Sequence, residues 1–140
     1  QGENEMNYTI NEVAREFHLS PHTLRYYDKE GLMPFIGRDQ HGNRVFTEAD
    51  FSWIAMVCCL KATGMSIKEI KRYADWCAQG LETIDKRKEL LIEHRKQVLE
   101  QIEALKKNLE LIDSKIAVYE DPELARKMYG GPKGRHPNKT

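Results

Sequence analysis

The C-terminal part of this 140-residue chain places a hydrophobic side chain at every seventh position. One series starts at Ile84 and a companion series at Leu81, and they form the d and a positions of a heptad repeat that continues to Tyr119. This repeat predicts a coiled-coil helix over residues 81–119, and a helix with such a stripe cannot bury it alone. We therefore predict dimerisation through the apolar members of both series from Leu91 onward, namely Leu91, Val98, Ile102, Leu105, Leu109, Ile112, Ile116 and Tyr119.

Two basic residues interrupt this stripe near its beginning. Lys88 and Arg95 occupy a positions that elsewhere carry Ile or Leu. At this end, another surface or a polar contact that sets the register takes the place of apolar helix packing. The alternative is a long helix that folds back on its own domain and covers the stripe without a second chain.

The N-terminal part predicts two short helices joined by a tight turn. Thr9 and Glu12 have the spacing of a capping box, and the apolar residues that follow recur with the helical period. Ser20, with Pro21 at the first helical position, starts a second helix that Gly31 ends. Two helices separated by so few residues are typical of a helix-turn-helix.

The segment over residues 34–46 is rich in Gly, Asp and Asn, which predicts a short two-stranded ribbon with a mobile tip. Thr47 then starts a third helix, and Ser66, in a capping box with Glu69, starts a fourth that ends near Gly80. The chain is thus predicted to be mainly α. Its predicted parts are a disordered N-terminus (1–7), a winged helix-turn-helix domain (8–80), a coiled-coil dimerisation helix (81–119), and a short C-terminal segment with a disordered tail (120–140).

Composition narrows the functional classes. The 22 basic and 22 acidic residues cancel, so any nucleic-acid surface must arise from local placement of charge. No apolar run approaches the length needed to cross a bilayer, and three cysteines without a spaced framework indicate free thiols in a reducing cytoplasm. No Gly-rich phosphate loop, paired carboxylates or metal-ligand cluster is recognisable, so we expect neither an enzyme nor a cofactor or metal site.

The second helix combines an apolar inner face with polar groups that suit DNA. Leu24 and Tyr27 are three positions apart and are expected to pack inward. The side chains expected outside are His22, Thr23, Arg25 and Tyr26. A helix that begins with hydroxyl, imidazole and guanidinium groups can lie in the major groove. An ordinary polar surface is the alternative.

The following ribbon strengthens the DNA-binding interpretation. Arg38 and Arg44 flank its tip, to which Gln40, His41 and Asn43 add hydrogen-bonding groups. Arginines on a loop beside a helix-turn-helix indicate a wing that contacts the DNA backbone or the minor groove.

Several motifs, taken in order, resemble the signature of the MerR family. They are Tyr8-Thr-Ile-Asn-Glu-Val-Ala, Leu19-Ser-Pro-His-Thr-Leu-Arg-Tyr-Tyr-Asp through Gly31-Leu32, Gly42-Asn-Arg-Val-Phe-Thr, and Gly64-Met-Ser-Ile-Lys-Glu-Ile-Lys. The resemblance covers residues 8–79 and extends by architecture through the long helix. It implies a homodimer with antiparallel long helices that distorts promoter DNA, so that RNA polymerase can engage both promoter elements.

The resemblance also implies roles for individual residues. The DNA-contacting positions of the family's recognition helix correspond to Thr23, Arg25 and Tyr26. Tyr27 also matches a family position, and packing is left open as its alternative role. In the wing, Arg44 matches the family's arginine and Arg38 is a weaker match. Ser66 and Lys68, at a helix N-terminus, are suited to hold a phosphate.

Among possible effectors, the resemblance favours an electrophile. The run from Trp53 to Gly64 is similar to the subgroup that responds to aldehydes, and Cys59 falls on the cysteine of that subgroup. A thiolate attacks electrophiles, although a lone cysteine is also commonly a small buried hydrophobe. Metal-sensing relatives carry thiolates where this chain has Gln79-Gly80-Leu81, so a metal sensor is not expected. The alternatives are a regulator without a thiol switch and a coiled-coil adaptor that does not bind DNA.

Overall fold

The computed structural model describes residues 6–131, and within them it is built from helices. The helices are α1 (Ile10–Glu16), α2 (Pro21–Lys29), α3 (Glu48–Ala62), α4 (Ile67–Gln79), α5 (Ile84–Tyr119) and α6 (Pro122–Tyr129). The mainly α prediction is confirmed. The disorder predicted for residues 1–5 and for the tail from residue 132 lies outside the described residues.

Capping side chains start α1, α2 and α4 where the sequence predicts them. The Thr9 hydroxyl accepts the Glu12 N–H at 3.2 Å, and the Glu12 carboxylate accepts the Thr9 N–H at 2.8 Å. The Ser20 hydroxyl likewise accepts the N–H of the residue three positions later, and Ser66 caps α4 in the same way. Each bond satisfies an N–H that the first helical turn leaves without an intrahelical partner.

The first three helices end in one and the same motif, in which a left-handed residue turns an apolar side chain into the core. The left-handed positions are His18 (φ 58°), Gly31 (φ 84°) and Gly64 (φ 101°). The residue after each of them donates its N–H back to a carbonyl five positions earlier: Leu19 to Ala14, Leu32 to Tyr27, and Met65 to Leu60. This is the Schellman motif, which places apolar residues on both sides of the helix end in contact.

The predicted ribbon is reduced to one isolated antiparallel bridge, Arg38 with Arg44, and its last residue, Phe46, forms another with Tyr8. Hydrogen bonds from the backbone to a side chain explain why no regular strands form between residues 37 and 46. The Asp39 carboxylate accepts the N–H groups of His41 and Asn43, at 2.9 and 3.0 Å. These are Asx-type turn contacts, and they fold the tip back before a strand ladder can extend.

The chain divides into two compact units, Gln1–Arg95 and Lys96–Thr140. The core of the first unit is apolar and comes from α1 to α4 and the loops between them, with Leu24, Leu32, Phe46, Ile54 and Ile70 among its largest fully buried side chains. The Trp53 indole donates to the Leu32 carbonyl at 2.8 Å and ties α3 to the loop after α2.

The first compact unit extends beyond the predicted domain boundary at residue 80. A 3-10 turn at Leu81–Thr83 leads into α5, so the α-helix itself begins at Ile84. Leu90 and Leu91 pack against the core of the first unit. The first turns of α5 therefore belong to the same compact unit as the predicted winged helix-turn-helix. Residues 8–95 of this unit contain the part that the sequence predicts to bind DNA, and we call them the predicted DNA-binding module.

Within the second unit, α6 packs against the last turns of α5. The Tyr119 and Tyr129 rings lie 5.7 Å apart, and the Lys115 ammonium lies 4.9 Å from the centre of the Tyr129 ring. Asp121 caps α6 by accepting the Leu124 N–H at 3.1 Å. The heptad positions of this unit remain open to solvent, with Leu105 67% exposed.

Substituting His18 by glycine is expected to stabilise the first unit. A side chain in the left-handed region costs roughly 1–2 kcal/mol, of which glycine's extra freedom in the unfolded chain offsets about half. The free energy of unfolding, measured in urea, should rise by about 0.5–1 kcal/mol. His18→Ala is the matched control because it removes the imidazole and keeps the Cβ atom. A His18→Gly variant no more stable than His18→Ala would contradict the backbone explanation.

Candidate nucleic-acid interface

Helix α2 has the two faces that the sequence predicts. Leu24 is fully buried and Tyr27 is 7% exposed, which confirms that they pack inward. His22, Arg25 and Tyr26 are exposed on the opposite side, with Tyr26 at 45%. The Ser20–Thr23 cap fixes the start of the helix, so the polar face is presented by a rigid first turn.

Tyr27 differs from its polar neighbours because its ring lies in the core. Burial raises the pKa of Tyr27, and the nearby Cys58 thiol adds to this effect. The packing role that the sequence left open for Tyr27 is therefore the one that its surroundings support, and little of its surface is available to a ligand.

Arg25 is held by a partner that sequence reasoning missed. Its guanidinium donates to the Asn11 side-chain carbonyl on α1 at 3.0 Å. The exposed Asn11 limits the directions in which the arginine can point. Asn11 lies in the motif that begins at Tyr8, two residues after the N-cap Thr9, and this position in the first turn of α1 is the signal that could have identified it.

The two wing arginines have different environments. The Arg44 side chain is 13% exposed, and its Nε lies 2.9 Å from the Asp28 carboxylate. It also donates to the Ile36 carbonyl. Arg38 is 50% exposed, lies 3.9 Å from Asp28, and donates to the Gly42 carbonyl at 2.7 Å. Arg44 therefore holds the wing to α2, while Arg38 keeps a larger part of its guanidinium in solvent.

Arg25 and the two wing arginines line one cleft of about 630 Å³ between α1, α2 and the wing, whereas His22, Thr23 and Tyr26 lie outside it. Its lining includes Arg25, Lys29, Arg38, Asn43 and Arg44. Asp28 and Asp39 also line it, and the Asp28 carboxylate is occupied by the arginines. Basic side chains are thus concentrated around this cleft, although the chain as a whole has no net charge. Lys29 is a second lining residue that sequence reasoning missed.

The remaining predicted residues lie outside this cleft. Ser66 caps α4 through the Glu69 N–H at 3.1 Å, and Lys68 is exposed in the first turn of the same helix. Cys59 is exposed on α3, whereas Cys58 and Cys77 are partly buried. Burial raises the pKa of both partly buried thiols.

The predicted dimerisation residues are mostly uncovered. Exposed fractions of at least 44% are found for Ile102, Leu105, Leu109, Ile112, Ile116 and Tyr119. Val98 is half-buried, and Leu91 packs against the core of the first unit. An apolar groove lined by Ile84, Lys88 and Leu91, among others, continues the stripe on the first unit.

In residues 6–131, no group of His, Cys, Asp or Glu side chains has the arrangement of a metal site. None of the helices in this part of the chain is long and apolar enough to cross a membrane.

Comparison with protein families gives two overlapping matches. The model described as MerR HTH family regulatory protein matches residues 8–75, and the one described as MerR, DNA binding matches residues 51–115. An uncharacterized HTH-type transcriptional regulator of Haemophilus influenzae is 46% identical over 115 residues, which are 82% of this chain and 85% of the relative. The HTH-type transcriptional regulator AdhR of Bacillus subtilis is 35% identical over 91 residues, 65% of each chain.

Solved structures agree with these matches. The crystal structure of HiNmlR, a MerR family regulator lacking the sensor domain, bound to promoter DNA, has 44% identity and a TM-score of 0.77, covering 90% of this chain and 97% of HiNmlR. A MerR family regulator from Bacillus thuringiensis, also 44% identical, has a TM-score of 0.73 over 80% of this chain and 98% of its own. The family and the relatives are transcriptional regulators and not enzymes. With its helix-turn-helix, wing and long helix, the chain belongs to the MerR family of DNA-binding transcriptional regulators.

Proposed function

We propose that two copies of this chain form an antiparallel homodimer that binds and distorts promoter DNA through the cleft side of each DNA-binding module. The observation that carries the proposal is the pairing of an exposed polar recognition helix with an exposed apolar stripe on the same chain. A coiled-coil adaptor without DNA binding explains only the stripe, and membership in the family argues against it.

In the proposed complex, α2 lies in the major groove. Its outer side chains make the contacts: His22, Thr23, Arg25 and Tyr26. The Asn11–Arg25 bond favours a pre-oriented guanidinium, which reduces the entropy lost when the arginine pairs with a guanine edge or a phosphate. Tyr27 supports this helix from below and does not itself read a base.

The wing and α4 provide the backbone contacts in this proposal. Arg38 and Asn43 are exposed beside the recognition helix and reach a phosphate or the minor groove. Arg44 acts by holding the wing in place through Asp28. Ser66 and Lys68 lie at the start of α4, where peptide dipoles and the ammonium group favour a phosphate.

An antiparallel pair of long helices covers the whole stripe. In such a pair, a positions face d positions, so Ile84 lies opposite Ile116 of the second copy and Val98 opposite its Ile102. Every heptad position then has a partner. Ile92 and Leu99, 47% and 49% exposed, widen the apolar surface near the middle of the helix. Burying these side chains provides the free energy of association.

The dimer presents two recognition helices at a fixed separation, as a near-palindromic operator requires. We propose that its binding untwists and bends the promoter, at the cost of deformation energy that the extra contacts offset. RNA polymerase then engages the realigned promoter elements. We propose that the protein acts in the cytoplasm, together with the DNA that it regulates.

Arg38→Ala should chiefly weaken DNA binding, whereas Arg44→Ala should chiefly lower the stability of the fold. Loss of the exposed Arg38 is expected to weaken operator binding and to lower the slope of log affinity against log salt by about 1, as for one lost phosphate contact. Arg44→Ala should lower the free energy of unfolding by about 1–3 kcal/mol because it leaves Asp28 without its nearest cation. Salt titrations of operator binding and urea melts distinguish them, and equal salt slopes for Arg38→Ala and the unmodified chain would reject the Arg38 contact.

Leu109→Ser should weaken dimerisation, whereas Leu111→Ser should not. Both leucines are exposed on α5, at 55% and 70%, but only Leu109 belongs to the heptad stripe. Removing two buried leucines per dimer should raise the dissociation constant at least about 100-fold, since each contributes roughly 1.5–3 kcal/mol. Sedimentation equilibrium gives the constants. Similar constants for both variants would mean that the stripe does not form the interface.

We also propose that Cys59 is the thiol that responds to electrophiles. Its exposure argues against the alternative of a small buried hydrophobe. Burial raises the pKa of Cys58 and Cys77, which leaves less thiolate at those two positions near neutral pH. With an aldehyde, the Cys59 sulfur would bond to the carbonyl carbon while the carbonyl oxygen takes up a proton, giving a hemithioacetal.

Cys59→Ser should abolish induction of the promoter by formaldehyde or methylglyoxal and leave operator binding unchanged. Cys77→Ser is the matched control, because it removes a partly buried thiol from the next helix. Reporter output with and without the aldehyde gives the induction ratio. An unaltered ratio in Cys59→Ser would show that the regulator works without this thiol.

A further inference from the structure

A histidine on the long helix makes a hydrogen bond to the end of α3. His94 is 8% exposed and lies in the third turn of α5. Its Nε2 is 2.7 Å from the hydroxyl oxygen of Thr63, the C-cap residue of α3. Both residues belong to the first compact unit, so the bond joins α5 to the helices that carry the DNA-binding face.

The direction of this bond follows from the surroundings of the hydroxyl. The Thr63 Oγ1 also lies 2.7 Å from the Cys59 carbonyl oxygen, which can only accept. The single hydroxyl proton therefore goes to that carbonyl, and the oxygen accepts a proton from His94. In this arrangement His94 donates through Nε2 to the Thr63 hydroxyl oxygen.

A second polar contact holds the other end of the same segment. Arg87 donates to the Thr83 hydroxyl at 3.0 Å and to the Gly80 carbonyl, at the junction where α4 leads into α5. Thr83, 2% exposed, also donates to the Trp76 carbonyl. Thr83 and His94 are separated by roughly 16 Å along the helix at 1.5 Å per residue.

Two leucines lie between these two polar contacts. Leu90 and Leu91 contact the core of the first unit. Apolar side chains tolerate sliding and rotation because their attraction depends on area and not on direction. A buried hydrogen bond has a defined length and angle, and it is lost when one helix rotates against the other.

We propose that His94 is a positioning residue whose bond to Thr63 fixes the rotation of the first turns of α5 against the end of α3, and thereby, in the proposed homodimer, the spacing of the two half-sites that the dimer accepts. This inference rests on the proposed homodimer. The Arg87 contacts act as the fixed end of the segment, and the His94–Thr63 bond prevents rotation about that end.

The test compares operators whose half-sites are moved apart or together by one base pair, a shift of about 3.4 Å with a rotation of about 35°. The full-length protein is expected to bind its preferred spacing at least about tenfold more tightly than either neighbour. Thr63→Val, which replaces the hydroxyl by a methyl group of similar size, is expected to reduce this preference to less than about threefold. Binding to a single half-site should not change.

Three further variants separate positioning from stability. Thr63→Ser keeps the hydroxyl and should restore the preference. Ser52→Ala is the matched control, because it removes another α3 hydroxyl that bonds to a carbonyl of its own helix. If Thr63→Val does not fold by circular dichroism, His94→Gln, which keeps an N–H donor, and His94→Leu, which does not, provide the same comparison.

The outcomes are distinct. A folded, dimeric Thr63→Val or His94→Leu variant with the full spacing preference would overturn the inference and leave the proposed function intact. A full-length protein that remains monomeric, or that binds all three spacings equally, would reject the proposed homodimer and the positioning role with it.

Discussion

The structure depends on one constraint, which is that a helix of 36 residues cannot keep its apolar stripe in water without cost. Near its start, α5 satisfies part of this constraint within the chain, because Leu90 and Leu91 cover the core of the first unit. Further along the helix, side chains such as Leu105 and Leu109 remain more than half exposed. The proposed second copy follows from this uncovered surface together with the family to which the chain belongs.

Charge has a local role in this molecule. Asp28 illustrates this point, because one carboxylate orients Arg44 and lies near Arg38. The acidic residue does not simply cancel the positive charge of the cleft. It determines which arginine is structural and which is available to a ligand. A net charge of zero is therefore compatible with DNA binding, since the distribution of charges around the recognition helix decides the local field.

Features that depend on residues near in sequence were predictable. The caps at Thr9, Ser20 and Ser66, the glycine ends of α2 and α3, and the heptad stripe are all local patterns, and the helices lie where these patterns indicate. The sequence also separated the inner and outer faces of α2, because helical periodicity alone determines them. The family motifs identified the fold for the same reason, as their spacing reflects these turns.

Features that depend on distant residues were not predictable from one sequence. The relative exposure of Arg38 and Arg44 depends on Asp28, which is remote in sequence from Arg44 and close in space. The Asn11–Arg25 and Thr63–His94 bonds each cross from one helix to another, so no periodicity indicates them. The ribbon prediction did not anticipate that the Asp39 carboxylate takes the N–H groups that a strand ladder needs.

Leu91 has two contact surfaces, and both limit which residues can replace it. Leu91 lies on the heptad stripe and also packs against the core of the first unit. A change at position 91 must therefore suit the interior of one module and the surface of the proposed second copy at once. Folding and self-association share this side chain, and a stable isolated monomer would have to leave it half-covered.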